Sequence, residues 1–548
     1  MPSFFFQPIT SDCVKTEILS LPNNKSHGLY SSPTKLLKCS VDIIAPVLSE
    51  VFNISISLGR YPTKLKLSKI VPVFKSDDET DPNNYRPISL LSNFNRIFER
   101  LMYTRMMNYI EKHNLIYSSQ YGFRKGHSTQ HAILDIVNAI QANMNQGLYS
   151  CGVFIDLKKA FDTVDHNILL DKLNFYGFRG LINQWFSSYL NNRTQTTQIV
   201  DHISNKATIS FGVPQGSVLG PLLFLLYVND IHQCSTKLKF YLFADDTNIL
   251  FAGKNLKVIE TVVNTELRKL CDWLTSNKLT LNISKSNFVV FHPKQKKPNY
   301  QPKICLLNNE KNECTTLESK EYIKYLGILI DKNLTWKHHI DSVSLKISKT
   351  VGLLAKLRHF VPRQILLKIY QSLIYPYITY GLAAWGQAAK THLNKILLLQ
   401  KKALRIINFS DRCAHAIPLF IDANVLPLNF LYYQTISNLM HDVHNNMVPF
   451  GISNLFQKTS SCHYYNTRAS TSGNFYVNSS DLELYKLSFS RFGAKLWNEI
   501  PCHIRHLPKN KFKNTLRKLL FEILNSEDDY IDTPTLIKKV KLAKNIEK

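Results

Sequence analysis

The tripeptide Ala244-Asp245-Asp246 sets two carboxylates side by side between the apolar runs Leu238–Phe243 and Ile249–Phe251. Adjacent carboxylates repel unless cations neutralise them or water screens them, so the pair reads as a cation site at a hairpin tip or as a solvated turn. A second acidic element is Gly152-Val-Phe-Ile-Asp156, an apolar strand ending in an aspartate, for which a helix cap is the plain alternative. Asp156 and Asp245 stand 89 residues apart (245 − 156), so only a fold can join them. Joined, they supply what phosphoryl transfer needs. Hard oxygen ligands can hold two Mg²⁺ ions about 3.5–4 Å apart, one activating an attacking hydroxyl and one stabilising the leaving oxygen.

Positioning such groups requires strands, and the chain supplies them. From Pro62 onward, short β-rich runs such as Lys69-Ile-Val-Pro-Val-Phe74 and Gly152–Ile155 alternate with helical segments at Asn93–Met107 and Leu181–Leu190, a mixed α/β pattern. A hairpin is expected over Leu238–Phe251. After it, Val258, Ile259, Val262, Val263, Leu267, Leu270 and Leu274 form an apolar stripe at helix spacing, read as core packing. Before it, Leu36, Leu37, Val41, Ile44, Val47, Leu48 and Val51 mark a helix amid loops. The Lys- and Pro-rich stretch His292–Pro302 reads as a surface loop. Beyond Trp336 strand signals fade, and residues 341–408 and 428–446 show helical periodicity with Lys and Arg on the polar faces. A separate segment from Ser460 to Leu524, holding Tyr464-Tyr-Asn-Thr-Arg468 and Phe492–Pro501, carries no assignable role. Lysines 538, 539, 541, 544 and 548 read as a frayed basic tail.

Composition narrows the classes. At 548 residues, with 44% hydrophobic and 20% charged residues, the chain folds, and into more than one packed unit. The net charge of +27, from 67 Lys+Arg against 40 Asp+Glu, favours a polyanionic partner, the bland alternative being a basic surface that aids solubility. The 10 cysteines show no Cys-x-x-Cys pair and no zinc spacing; they read as reduced, mostly core thiols of an intracellular protein. The most apolar run, Val218–Val228, is too short to span a bilayer, and no secretory leader is visible, so no membrane partner is expected.

The chain resembles the reverse transcriptases of non-LTR retrotransposons, most closely those of jockey-like elements. Collinear blocks carry the resemblance: Asn84-Tyr-Arg-Pro-Ile-Ser-Leu-Leu91, Gln120-Tyr-Gly-Phe-Arg124, Asp156–Asp165, Gly212-Val-Pro-Gln-Gly-Ser-Val-Leu-Gly-Pro221, Phe243-Ala-Asp-Asp-Thr247, Leu281-Asn-Ile-Ser-Lys285 and Tyr325-Leu-Gly327. It implies a right-hand polymerase with fingers, palm and thumb, followed by a mainly helical C-terminal region. The expected partition is an N-terminal extension over 1–53, a reverse transcriptase domain over 54–335, a helical thumb over 336–455, and a C-terminal region with a basic tail over 456–548.

The same resemblance assigns roles. Asp156 and Asp245 match the metal-binding carboxylates, and Asp246 their less directly ligating neighbour. Phe161 matches the bulky residue under the incoming sugar, where a ring clashes with a 2′-hydroxyl and selects deoxynucleotides; an ordinary core phenylalanine is the alternative. Arg86 and Lys75 match residues that grip the triphosphate. Gln215 and Gly216 match the loop against nucleotide and template, and Lys285 matches a proton donor to departing pyrophosphate. Tyr325, Leu326 and Gly327 resemble a primer grip, with the later helices tracking the hybrid through its backbone. The implied partners are an RNA template, a DNA primer or target and dNTPs, with two Mg²⁺ as cofactors, in the nucleus or a cytoplasmic ribonucleoprotein. Lys25-Ser-His-Gly28 departs from the family's Lys-Ser-Pro-Gly, and Tyr30 stands where aspartate is usual. An endonuclease segment and a zinc knuckle, common in full elements, are absent from this stretch, which reads as the polymerase portion of an element. Two competing readings stay open: a decayed or recruited RNA-binding relic, and an RNA-directed RNA polymerase, which Ala244 and Phe161 disfavour.

Overall fold

The computed structural model describes residues 2–23, 28–29, 31–308, 313–461, 473–477, 483–527 and 531–542. The Lys25–Tyr30 step, apart from Gly28 and Leu29, and the Tyr464–Arg468 motif lie outside them.

The strand Tyr149–Ile155 is buried along its whole length and is the middle of a five-stranded sheet. It pairs antiparallel with Asp246–Gly253 on one side and with Asn287–Phe291 on the other; Lys239–Phe243 and Glu318–Ser319 form the edges. Its alternation sends Tyr149, Cys151, Val153 and Ile155 into one core and Phe154 into another. Gly152 fits where a Cβ would lie 2.8 Å from the Phe291 ring.

The first core joins the N-terminal helices Ser11–Ser20 and Val41–Ser57 to the helices Asn93–Lys112, Leu181–Leu190, Leu219–Val228 and Leu256–Ser276. The boundary expected at 53/54 falls inside the helix Val41–Ser57. That helix buries Val41, Ala45, Phe52 and Ile56, whereas Val47 and Val51 of the expected stripe face outward with Ile43 and Ile54. In Leu256–Ser276 the buried line is Ile259, Val263, Leu267, Leu270 and Leu274, and Val258, one residue off it, is exposed.

The second core is the helical C-terminal part, including Lys337–Leu357, Lys390–Ile407 and Leu428–His444, packed with Thr129–Asn145 on the other sheet face. Asp331 marks the change of pattern at Trp336: its carboxylate accepts the N–H groups of Asn333, Thr335 and Trp336 at 3.2, 2.9 and 2.7 Å and turns the chain into the helix. Three expectations need correction. Phe489–Glu499 and Lys509–Asn525 are not a separate segment, because Phe489, Trp497 and Phe512 enter this same core. The stretch carrying Lys538, Lys539 and Lys541 is a docked helix, Thr533–Leu542, since Leu536, Ile537 and Val540 share a face between the lysines and bury it. Of the cysteines described, Cys151 and Cys271 are buried while Cys39, Cys314 and Cys413 are exposed, a thiol being small and only weakly apolar. No described helix is long and apolar enough to cross a membrane.

Beyond the central sheet lies a second one. Leu67–Phe74 pairs antiparallel with Tyr85–Leu90 and parallel with Arg193–Ile199, which also carries Ala207–Ile209. The Lys75 N–H closes the first hairpin on the Asn84 carbonyl at 2.9 Å.

Candidate active site

In the central sheet Ile155 pairs with Thr247 and Phe243 with Asp246, so Asp156, one step past Ile155, stands beside the turn Ala244-Asp245. Neighbouring strands run about 4.8 Å apart, close enough for carboxylates on their ends to interact directly. Ala244 sits at φ +56, a left-handed conformation that costs an alanine about 1–3 kcal/mol and must be held from outside.

Gln120 holds it. Residues 119–121 run beside the edge strand, with Tyr121 N–H on the Leu242 carbonyl at 2.8 Å and Leu242 N–H on the Ser119 carbonyl at 2.9 Å. The buried Gln120 side-chain carbonyl then accepts both the Gly122 N–H at 2.8 Å and the Ala244 N–H at 3.1 Å. A Cβ on residue 122 would lie 2.3 Å from the Ala244 nitrogen, which restricts that position to glycine.

Asp156 is held from the other side by the Leu281–Lys285 block. Its N–H donates to Ser286 Oγ at 3.2 Å, and its carbonyl accepts the Asn282 N–H at 2.8 Å. Asn282 Nδ2 donates to Asp156 Oδ2 at 2.7 Å, which fixes the carboxylate plane.

Burial raises the carboxyl of Asp245, and the charge of Asp156 adds to the shift while Lys75 and Arg86 oppose it. The Asp246 side chain is exposed at the mouth of the cleft, but the protein crowded around it, then Asp245 and Asp156, push its carboxyl up to about 6. This mutual repulsion is what a bound cation would relieve. Among the described residues no three acidic, His or Cys side chains converge into a self-sufficient cage. Mg²⁺ does not require one, because it is commonly held by one or two carboxylates with substrate phosphates and water completing its shell.

A cavity of about 820 Å³ opens over the aspartates and gathers Lys75, Arg86, Asp156, Phe161, Gln215, Asp245 and Lys285. The exposed Lys75, Arg86 and Lys285 bring positive charge to a site that also holds carboxylates, an arrangement suited to a polyphosphate carrying its own cations. Phe161 is half-buried, stacked on Phe224 at 4.4 Å and edge-on to Phe123 at 6.0 Å, so its ring forms a firm floor. Gln215 Nε2 donates to Asp162 Oδ1 at 2.9 Å. Gly216, at φ +110, does not line the cavity; it lets the loop cross Ser89, whose N–H donates to the Gln215 carbonyl at 2.7 Å and whose carbonyl oxygen would lie 2.8 Å from a Cβ. Asp165, the last residue of the Asp156–Asp165 block, caps the helix His166–Phe175 through the Asn167 and Ile168 N–H groups.

Asp246 lines a neighbouring cavity of about 740 Å³ that shares Asp156 and Lys285 with the first and is closed by Tyr325, Leu326 and Gly327. These three form the turn between Tyr322–Tyr325 and Ile328–Asp331, with Leu326 and Gly327 at φ +42 and +86. Tyr325 is buried edge-on to Phe154 at 6.0 Å, and the Tyr380 hydroxyl donates to the Leu326 carbonyl, fastening the turn to the helical part.

All the expected site residues thus gather on two adjoining cavities except Gly216, whose part is structural. Sequence reasoning missed Gln120, Asn282, Phe224 and Tyr380 as positioning groups. Gln120 and Asn282 stand inside the collinear blocks 120–124 and 281–285, and the glycine two residues after Gln120 signals close backbone approach, but nothing local says what approaches. Missed too was Glu99, a buried carboxylate that accepts from Tyr189 Oη at 2.7 Å and from the Val218 N–H at 2.6 Å, anchoring the helix after the Pro-Gln-Gly loop.

Residues 73–330 match the family described as reverse transcriptase (RNA-dependent DNA polymerase), which defines the class of this domain. The chain is 30% identical over 413 residues to the RNA-directed DNA polymerase from mobile element jockey of Drosophila melanogaster, covering 73% of this chain and 44% of that protein. It is 29% identical over 422 residues to the probable RNA-directed DNA polymerase from transposon X-element of the same fly, covering 74% and 44%, and 29% over 421 residues to that from transposon BS, covering 73% and 45%. Residues 73–330 are thus a reverse transcriptase domain, and the similarity to the polymerases of these mobile elements extends beyond it over 73–74% of the chain. It spans somewhat less than half the length of these curated relatives.

Proposed function

We propose that this chain is an RNA-directed DNA polymerase that adds deoxynucleotides to a primer 3′-hydroxyl on an RNA template. The observation that carries this reading is the meeting of Asp156 with the Asp245-Asp246 turn over a cavity that also holds Lys75, Arg86, Phe161 and Gln215. In a right-hand description the central sheet is the palm, the Leu67–Phe74 sheet the fingers, and the helices after Trp336 the thumb. The partition at 53/54, 335/336 and 455/456 stands as a proposal on the same footing.

Asp156 and Asp245 would hold two Mg²⁺ ions, which when bound activate the attacking hydroxyl and offset charge on the leaving oxygen and phosphates. The chain itself supplies orientation and electrostatics. Arg86 and Lys75 draw the triphosphate down, Phe161 excludes a 2′-hydroxyl, Gln215 steadies the nucleotide, and Lys285 offers a proton where pyrophosphate departs. Tyr325, Leu326 and Gly327 set the primer end. The net charge of +27 supports an RNA template with a DNA primer or target as partners.

Primer extension on an RNA template with Mg²⁺ tests the reading. Extension is expected with dNTPs and is lost in Asp245→Asn, while template–primer binding stays close to wild type. An inactive wild-type chain that still binds RNA would favour a recruited relic, and preferential use of NTPs would favour an RNA polymerase.

A further inference from the structure

Asp135 stands in the middle of the helix Thr129–Asn145, beside Ala132, Ile133, Leu134, Ile136 and Val137, and is 2% exposed. A carboxylate among apolar side chains loses its water, and burial holds this carboxyl above the ordinary range against the pull of Lys239 and Tyr121. It lines neither cavity over the aspartates, so it meets no substrate there.

Both of its oxygens are engaged. Oδ2 accepts the Tyr121 hydroxyl at 2.6 Å, and Oδ1 lies 3.6 Å from Lys239 Nζ. The two partners belong to segments that run side by side, Tyr121 to the stretch 119–121 and Lys239 to the first position of the edge strand Lys239–Phe243. Three contacts follow one another along this ribbon. Asp135 joins the segments at Lys239, the backbone joins them at Leu242, whose bridge partner is Gln120, and the Gln120 side chain joins them at the Ala244 N–H. Successive residues of an extended segment are spaced at about 3.3 Å, so a slip at the Lys239 end is carried to the Ala244 end.

The helical C-terminal part closes over the same carboxylate. A Cβ on Gly451 would lie 2.4 Å from Tyr121 Oη and 2.8 Å from Asp135 Oδ2, so the helix Phe450–Ser453 lies directly on the pair and keeps water from competing for it.

We infer that Asp135 is a positioning residue for the polymerase reaction: holding Tyr121 and Lys239 on its two oxygens, it fixes the register between residues 119–121 and the edge strand, and through Gln120 the place of the Asp245 turn. The inference rests on the polymerase reading and adds to it a residue that acts from outside the cleft.

The experiment is single-turnover primer extension by the intact chain on an RNA template, with dNTP half-saturation and duplex affinity measured alongside, well below each variant's melting temperature. Asp135→Leu is expected to lower the maximal rate about tenfold or more while half-saturation and affinity change less than about twofold, because the substrate contacts are untouched. Asp135→Asn keeps an oxygen for the Tyr121 hydroxyl and is expected to stay closer to wild type. The double variant Gln120→Leu/Asp135→Leu should be no more than about twofold slower than the slower single variant, since both break one path; a merely structural role would multiply the two losses. If Asp135→Leu does not fold, Tyr121→Phe removes the same hydrogen bond, keeps the ring in the core, and should show the same loss of rate alone. Rates within about threefold of wild type, an asparagine variant no faster than leucine, or multiplied losses in the double variant would each overturn the assignment. Wild-type extension with insensitive variants removes this inference alone, whereas no extension by the wild type removes the polymerase reading as well.

Discussion

Replacing Gln120 by leucine keeps the volume of the side chain and removes the single oxygen that accepts the Gly122 and Ala244 N–H groups. Each buried N–H left without an acceptor costs about 1–3 kcal/mol, so the loss totals about 2–6 kcal/mol before relaxation. The chain can meet that loss in two ways. If the turn stays in place, stability falls and the melting temperature drops. If the turn moves until Ala244 N–H reaches water, Asp245 moves with it, and a shift of about 1 Å at a phosphoryl-transfer centre costs about 10²-fold in rate. Gln120 touches neither substrate nor the reacting atoms, so duplex affinity should hold in either case. The assay therefore pairs calorimetric melting with single-turnover extension and duplex binding, and the first two should account for the loss between them. A variant that melts like the wild type and extends within about threefold of it would refute the clamp.

Phe161→Val is expected to raise ribonucleotide incorporation relative to deoxyribonucleotide at least about tenfold, measured by paired kcat/KM values; unchanged discrimination would leave Phe161 as packing on Phe224. Asn282→Ala frees the Asp156 carboxylate to rotate, and extension should fall about tenfold or more at saturating dNTP with little change in duplex affinity, since the lost hydrogen bond orients Asp156 without touching the duplex. Asp246 predicts a pH effect on the metal-free chain. Its folded pKa of about 6 lies above the ordinary carboxylate value of 3.8, so the folded state binds the extra proton and stability falls as pH rises from about 4 to about 6. Compared with Asp246→Asn, the wild type should lose melting temperature across that window and regain it when Mg²⁺ is added; parallel curves for the two would show that the carboxylate is not under strain.

The residues that gather on the two cavities were legible as candidates because their types are constrained. Asp156, Asp245 and Arg86 have few physical alternatives in their blocks, and the apolar runs around them announced strands that are present at Tyr149–Ile155 and Asp246–Gly253. What was not legible is what depends on contacts between distant segments. Gln120 faces a turn 124 residues away, a pairing that no local pattern encodes. The helix Val41–Ser57 has apolar residues on both faces, so sequence could not say that Phe52 and Ile56 turn inward while Val47 and Val51 do not. Thr533–Leu542 was hidden by its lysines, although Leu536, Ile537 and Val540 already stood on one side. Burial is decided by which surface arrives to cover a face, and that information sits elsewhere in the chain.

Tyr149–Ile155 belongs to both cores at once, a party wall between two rooms, with Asp156 set where it ends. Heat or denaturant that softens either room should therefore slacken the wall. Turnover would then vanish at whichever of the two halves melts first, well before the spectroscopic signal of the other half has changed.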